Sequence, residues 1–181
     1  LNIEWFDDPT ACKLKIKKPG TDEYVEKAVD LVETFKWLIG LHVEHLDHWR
    51  GYDAAFKREI DPELPEDTNT RLMLDGGLKE TDDGAWRFRK VEGYTLRTPG
   101  DHNDREKALV VWRKLTGDLE QDNLMLDEWF RKYRLSAQDT EFDVIYVNGS
   151  NNLPNLRQAE ETWKVRLIEE AFHQAMWDVE G

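Results

Sequence analysis

Ala108-Leu109-Val110-Val111-Trp112 sets five apolar residues in a row without alternation. A strand with one face in water alternates apolar and polar side chains. A run without alternation, bounded by polar residues, fits a strand covered on both faces. Thirty residues on, Phe142-Asp143-Val144-Ile145-Tyr146-Val147 repeats the pattern. Between them Asp118 stands as an N-cap with Gln121 at the reciprocal position, and Leu126, Trp129, Phe130 and Tyr133 fall on one helical face. Strand, helix, strand in that order predicts a right-handed parallel crossover over residues 108–147.

Working outward, Lys13-Leu14-Lys15-Ile16-Lys17 alternates in period two, Pro19-Gly20-Thr21-Asp22 is a turn, and Tyr24 to Val29 returns. The pattern predicts an N-terminal hairpin after the short segment Leu1 to Pro9. Asp30 opens a helix with Glu33 as capping partner, an apolar face of Leu31, Phe35, Leu38 and Ile39, and Gly40 as its stop. Leu41 to Trp49 reads as a strand. Residues 51–84 are rich in proline, glycine and acids, and read as a loop-rich insertion with a short helix at Ala54 to Arg58. Ala85 to Leu96 reads as strand. A last helix takes Val165, Ile168, Phe172, Ala175 and Met176 at helical spacing. The expected fold is a single α/β domain over residues 1–181, a mixed sheet with packed helices.

Composition bounds the function. The 181 residues hold 38 acidic and 25 basic side chains, a formal charge of −13, and a surface this acidic repels nucleic acid unless its basic residues cluster. The compact basic run is Lys13, Lys15, Lys17 and Lys18, which also fits a strand edge kept from aggregating by lysines. Alone, the domain reads as a poor DNA binder. A mean hydropathy of −0.76 is offset by eight tryptophans, enough for a core or for an aromatic interface. Cys12 is the one cysteine, which excludes an intrachain disulfide and fits a reducing cytosol. No signal peptide or membrane-spanning run is present, and a start at Leu1 without methionine suggests a trimmed chain.

Chemistry-bearing motifs are scarce. His42, His45 and His48 recur every third residue, yet on a strand His45 opposes the other two, and on a helix the third drifts by about 60°. They read as surface histidines rather than a zinc set. A metal-dependent nuclease needs two carboxylates and a lysine on adjoining strands, but no acid precedes Lys114 by two residues, and Asp143 stands alone. Phosphate-cradling glycine loops and a serine elbow are absent. The polar constellation placed where α/β folds carry function, at a strand's carboxyl end, is Asn148, Gly149, Asn151, Asn152 and Asn155. Its amides suit adenine edges, but Asn-Gly and Asn-Asn are strong turn formers, and turn chemistry is the favoured reading. It is an interaction-loop candidate.

Five blocks together carry a resemblance: FDDPTACKLKI (6–16), VDLVETFKWLIGLHV (29–43), KALVVWRKL (107–115), FDVIYVNGSNNLPNL (142–156) and ETWKVRLIEEAFHQAMWD (161–178). In that order the chain resembles the C-terminal region of type III restriction-modification adenine-specific DNA methyltransferases. The resemblance implies a bacterial cytoplasmic parent that transfers methyl from S-adenosylmethionine to adenine N6, on a base flipped from the stack. The family's D-P-P-Y and F-x-G-x-G motifs have no counterpart here; Asp7-Asp8-Pro9-Thr10 only mimics the first. No catalytic, cofactor or metal residue is therefore carried over, and the active site is expected upstream of Leu1. The resemblance implies an assembly role, facing a second methyltransferase subunit and/or the helicase-nuclease restriction subunit, with DNA held by the rest of the parent. The alternative is an autonomous nucleic-acid-binding or nuclease-like α/β domain.

Overall fold

The computed structural model describes residues 3–158 and 162–180, so Leu1, Asn2 and the start of the block at 161–178 lie outside the described residues. Its strands are β1 (Lys13–Lys17), β2 (Tyr24–Ala28), β3 (His42–Leu46), β4 (Arg50–Ile60), β5 (Thr70–Glu80), β6 (Trp86–Leu96), β7 (Arg105–Arg113), β8 (Val144–Val147) and β9 (Val165–Leu167). Its helices are α1 (Leu31–Leu38), α2 (Leu119–Lys132) and α3 (Ile168–Glu180). The result is the mixed α/β architecture expected, with an N-terminal antiparallel hairpin and a β7–α2–β8 parallel crossover.

One sheet takes seven strands in the order β5-β4-β6-β7-β8-β9, with β3 beside β6. β3 and the first residues of β4 lie along the same side of β6, His42–Leu46 against Val91–Tyr94 and Arg50–Tyr52 against Trp86–Phe88. β6 and β7 pair antiparallel from Phe88↔Arg113 to Leu96↔Arg105. β7, β8 and β9 are parallel. β7 is thus the seam between an antiparallel and a parallel half.

The side chains of β7 explain its unbroken apolar run. Leu109 and Val111 join Ile145 and Val147 under Met125, Leu126, Trp129 and Phe130 of α2. Ala108, Val110 and Trp112 join Val144 and Tyr146 under Leu31, Val32 and Phe35 of α1 and Ile168 and Phe172 of α3. The rings of Phe35 and Trp112 meet edge to face at 5.8 Å, and Phe35 stacks on Phe172 at 6.2 Å. Both α1 and α2 carry the expected caps: Asp30 accepts the Glu33 N–H, and Asp118 accepts the Gln121 N–H, each at 3.1 Å.

Residues 51–84 correct the expectation. They are no loop-rich insertion but a long hairpin, β4 against β5 from Tyr52↔Glu80 to Ile60↔Thr70, and Ala54 to Arg58 is strand rather than helix. The polar composition misleads because only Tyr52, Ala54, Phe56, Leu74 and Leu78 turn to the α2 core, while the outer face and the far end stand in water. Gly76, at φ +92°, lies in the register irregularity opposite Asp53 and Ala55, so it marks a bulge rather than a loop. The C-terminal helix also begins later than its spacing suggests. Val165 belongs to β9, and the Asn155 amide meets its outward backbone, donating to the Val165 carbonyl at 2.9 Å and accepting its N–H at 2.8 Å. A side-chain amide there stands in for a neighbouring strand.

Gly93 is where β6 and β3 approach too closely for a side chain, since a Cβ would lie 2.2 Å from the His42 carbonyl oxygen. We expect Gly93→Ala to separate β3 from β6 and lower stability by about 1–3 kcal/mol, the usual cost of overpacking, read as a fall in the urea midpoint. An unchanged midpoint would refute the close approach.

Candidate functional site

Parallel strands present their carboxyl ends on one side of the sheet, and here that edge is built on Arg113, the last residue of β7. Its side chain is 1% exposed. Nε donates to the Asn148 carbonyl at 2.9 Å, Nη1 to Asn123 Oδ1 at 2.9 Å and the Asp122 carbonyl at 3.3 Å, and Nη2 to the Ser150 carbonyl at 3.1 Å. Every acceptor is neutral. Burial pulls the guanidinium down to about 10, partly opposed by the charges of Asp122, Glu169 and Asp127.

Asn148 follows β8 and is fully buried. Its Oδ1 accepts the Arg113 N–H at 2.9 Å, and its Nδ2 donates to the Phe6 carbonyl at 2.7 Å and the Arg113 carbonyl at 2.8 Å. Glu169, in the first turn of α3, accepts the Gly149 N–H on both carboxylate oxygens at 3.1 and 3.0 Å. Burial raises the Glu169 carboxyl above its ordinary range, with the Gly149 N–H acting against it. Asp122 Oδ1 accepts from Trp86 Nε1 at 2.9 Å and from the Thr116 hydroxyl at 2.6 Å. The network ties β7, β8, α2, α3 and the segment at Phe6 into one knot.

The candidate loop is therefore built inward. Asn148 and Asn155 have their amides committed to backbone, and Asn151 donates to the Gly149 carbonyl and accepts the Leu153 N–H, both at 3.2 Å. Gly149 is held by Glu169, and Asn152 alone of the five is exposed with no side-chain hydrogen bond among the described residues. Turn and cap chemistry, rather than an array of outward amides, is what this asparagine pattern encodes here.

The histidines are arranged differently from a simple strand. A register shift between Val43 and His45 puts His42 opposite Tyr94 and His45 opposite Glu92, so both project from one face of the sheet. His48 turns to Asp47, Nδ1 to Oδ1 at 3.3 Å. Among the described residues no three histidine, cysteine or acidic side chains are grouped to hold a metal ion. Asp143 accepts the Lys107 N–H at 2.8 Å and faces Arg97 at 3.6 Å, away from Lys114, which approaches Asp8 at 3.9 Å. Among the described residues no helix is long and apolar enough to cross a membrane.

Two surfaces remain. The β1–β2 hairpin is exposed throughout, and three of its lysines face their own acids: Lys13 and Glu26 at 4.0 Å, Lys17 and Asp22 at 3.5 Å, Lys18 and Glu23 at 3.6 Å. The second surface was not read from the sequence. Lys90 lies 5.6 Å from the Tyr133 ring centre, Arg105 4.1 Å from Tyr94, and Lys107 5.2 Å from Phe142. Finding them requires the β6–β7 register, which puts Tyr94 beside Lys107 and Leu96 beside Arg105.

Compared with protein-family models, with curated proteins and with solved structures, the chain matches none.

Asn148→Ala would strand three backbone groups in the interior, and we expect a loss of about 3–5 kcal/mol by urea denaturation. Glu169 yields a pH signature. Its folded carboxyl holds its proton more tightly than the unfolded one, so stability from this group is present at low pH and drains as pH rises from 4.5 through the raised value. Glu169→Gln removes that drain. The difference in melting temperature between the variant and the parent chain should therefore shift in the variant's favour between pH 4.5 and neutrality; a pH-independent difference contradicts the assignment.

Proposed function

We propose that this chain is the C-terminal accessory domain of a type III adenine-specific DNA methyltransferase, and that its work is assembly rather than methyl transfer. One observation carries the parentage. The buried cluster of Phe6, Cys12, Leu31, Val32, Phe35, Val91, Ala108, Val110, Trp112, Val144, Tyr146, Ile168 and Phe172 draws all its members but Val91 from the five resembling blocks. Blocks scattered over the chain converge on one core, as a shared domain requires. The β4–β5 hairpin, outside those blocks, packs on the other face.

The assembly role is supported by β1 and β2. A two-stranded hairpin is marginal in water by itself. Here Ile16 pairs with Val25, and Leu14 shares their face, leaving Leu14 39%, Ile16 43% and Val25 43% exposed. Among the described residues no further strand pairs with either outer edge. An apolar face and two open edges fit docking against a second methyltransferase subunit, with the restriction subunit as the other partner of the assembled enzyme. In this reading the parent works in the bacterial cytoplasm, and S-adenosylmethionine is bound outside these residues.

Light scattering tests the role. We expect a concentration-dependent rise toward double the 21.4 kDa of one chain, abolished by Ile16→Glu with Val25→Glu. Calorimetry with S-adenosylmethionine should show no saturable heat. A strict monomer, or saturation by the cofactor, would sink the assembly reading.

A further inference from the structure

Several cationic side chains in this acidic protein face a carboxylate. Lys36 meets Glu33 at 2.7 Å, Arg58 meets Glu120 at 2.9 Å, and Arg50 meets Asp47 and Glu80 at 3.1 and 3.0 Å. Lys90, Arg105 and Lys107 do not: among the described residues none has an acidic group within ion-pair distance. Each instead sits over an aromatic ring, and the three occupy the same sheet face, Arg105 and Lys107 at one end of the β6–β7 ladder and Lys90 further along it, opposite Val111. The difference matters chemically. A carboxylate uses up the N–H donors of a cation, whereas a ring face attracts the charge and leaves the donors free. Arg105 shows this directly. Its Nε donates to the His102 carbonyl and its fork lies over Tyr94, while the terminal nitrogens have no partner among the described residues.

The surroundings extend the surface. His42, on β3, stacks on Tyr94 at 4.9 Å and 8°, and His102 places Nδ1 3.3 Å from the Tyr94 hydroxyl. Since β3 and β7 flank β6, His42 and Arg105 cover opposite sides of the Tyr94 ring. Two nearby carboxylates, Asp104 and Asp143, face Arg97 at 3.7 and 3.6 Å. Glu92 is the carboxylate on this face with no ion pair among the described residues, set against three unpaired cations.

We infer that this surface, centred on Arg105 and Lys107, binds the phosphodiester backbone of DNA. The choice of DNA as the phosphate source rests on the methyltransferase reading; the cationic geometry does not. A planar guanidinium with free terminal nitrogens suits a phosphate bidentately, and the Lys107 ammonium, two residues along the same strand face, suits a neighbouring phosphate. Base stacking is disfavoured because Tyr94 already has a neighbour on each face. Recognition is accordingly of the backbone and independent of sequence, and must weaken with salt.

Fluorescence anisotropy with a labelled DNA duplex at low ionic strength tests this, using two variants that each remove two positive charges. We expect Arg105→Ala with Lys107→Ala to lower affinity roughly tenfold or more and to flatten the slope of log affinity against log salt by about 1.8. Lys15→Ala with Lys27→Ala, on the hairpin, should change both little. Equal losses in the two variants would show that net charge alone acts. No binding by the parent chain, or competition by polyglutamate as effective as by unlabelled DNA, would overturn the phosphodiester assignment. Light scattering on the same samples separates the two proposals. Dimers that do not bind DNA leave assembly standing without this surface, and monomers that bind DNA do the reverse.

Discussion

From Ala108 to Trp112, β7 has no polar face to offer water, and the architecture follows from covering that run twice. Leu109 and Val111 require a layer on one side, Ala108, Val110 and Trp112 a layer on the other. A helix after β7 supplies the first layer and at the same time is the long crossover that a parallel return of β8 needs. α1 and α3 supply the second. The antiparallel strands on the other side of β7 need no such cover along their length, so β4 and β5 run out as a hairpin with one face wet.

Burying β7 leaves the problem of its end, where Arg113 carries a charge into the interior. A buried cation is ordinarily matched by a carboxylate, and removing one partner of such a pair is severe. Here the guanidinium is solvated instead by three carbonyls and an amide oxygen, with Glu169 and Asp122 close enough to act through space but bonded elsewhere. The arrangement explains why the loop after β8 is rich in asparagine. Asn148 must serve the backbone of β7 as acceptor and donor at once, which an aspartate could not do, and Asn155 does the same for β9.

How much was legible depended on whether the signal was local. The caps at Asp30 and Asp118, the double-covered strands and the first hairpin are read within windows of a few residues, and they stand in the structure. The β4–β5 hairpin was not legible because its residues report solvation rather than conformation: Lys57, Arg58, Glu59 and Asp75 are polar since they face water, not since they form a loop. Ala54, Ala55, Lys57 and Arg58 are individually good helix formers, and pairing with β5 overrides that preference. The turn chemistry of the asparagines is local and legible, but that Asn148 faces inward is set by Arg113, 35 residues away. The cation–ring contacts could not be read at all without the register of β6 on β7.

The same distinction between local and summed quantities bears on charge. A formal −13 invites the conclusion that no polyanion approaches this chain, and the sequence supports it while the charges are only counted. Charges act, however, over about 8–10 Å at ordinary ionic strength, so a partner feels the groups near its contact rather than the total. The lysine run on β1, the obvious basic feature, is opposed across the hairpin by Glu26, Asp22 and Glu23. Arg105 and Lys107 attract no notice in a count, yet their side chains lie over a tyrosine and a phenylalanine rather than in ion pairs. The total charge governs long-range encounter and makes it slow; the unpaired cations govern what happens on contact. An acidic domain can therefore hold a polyanion at one face.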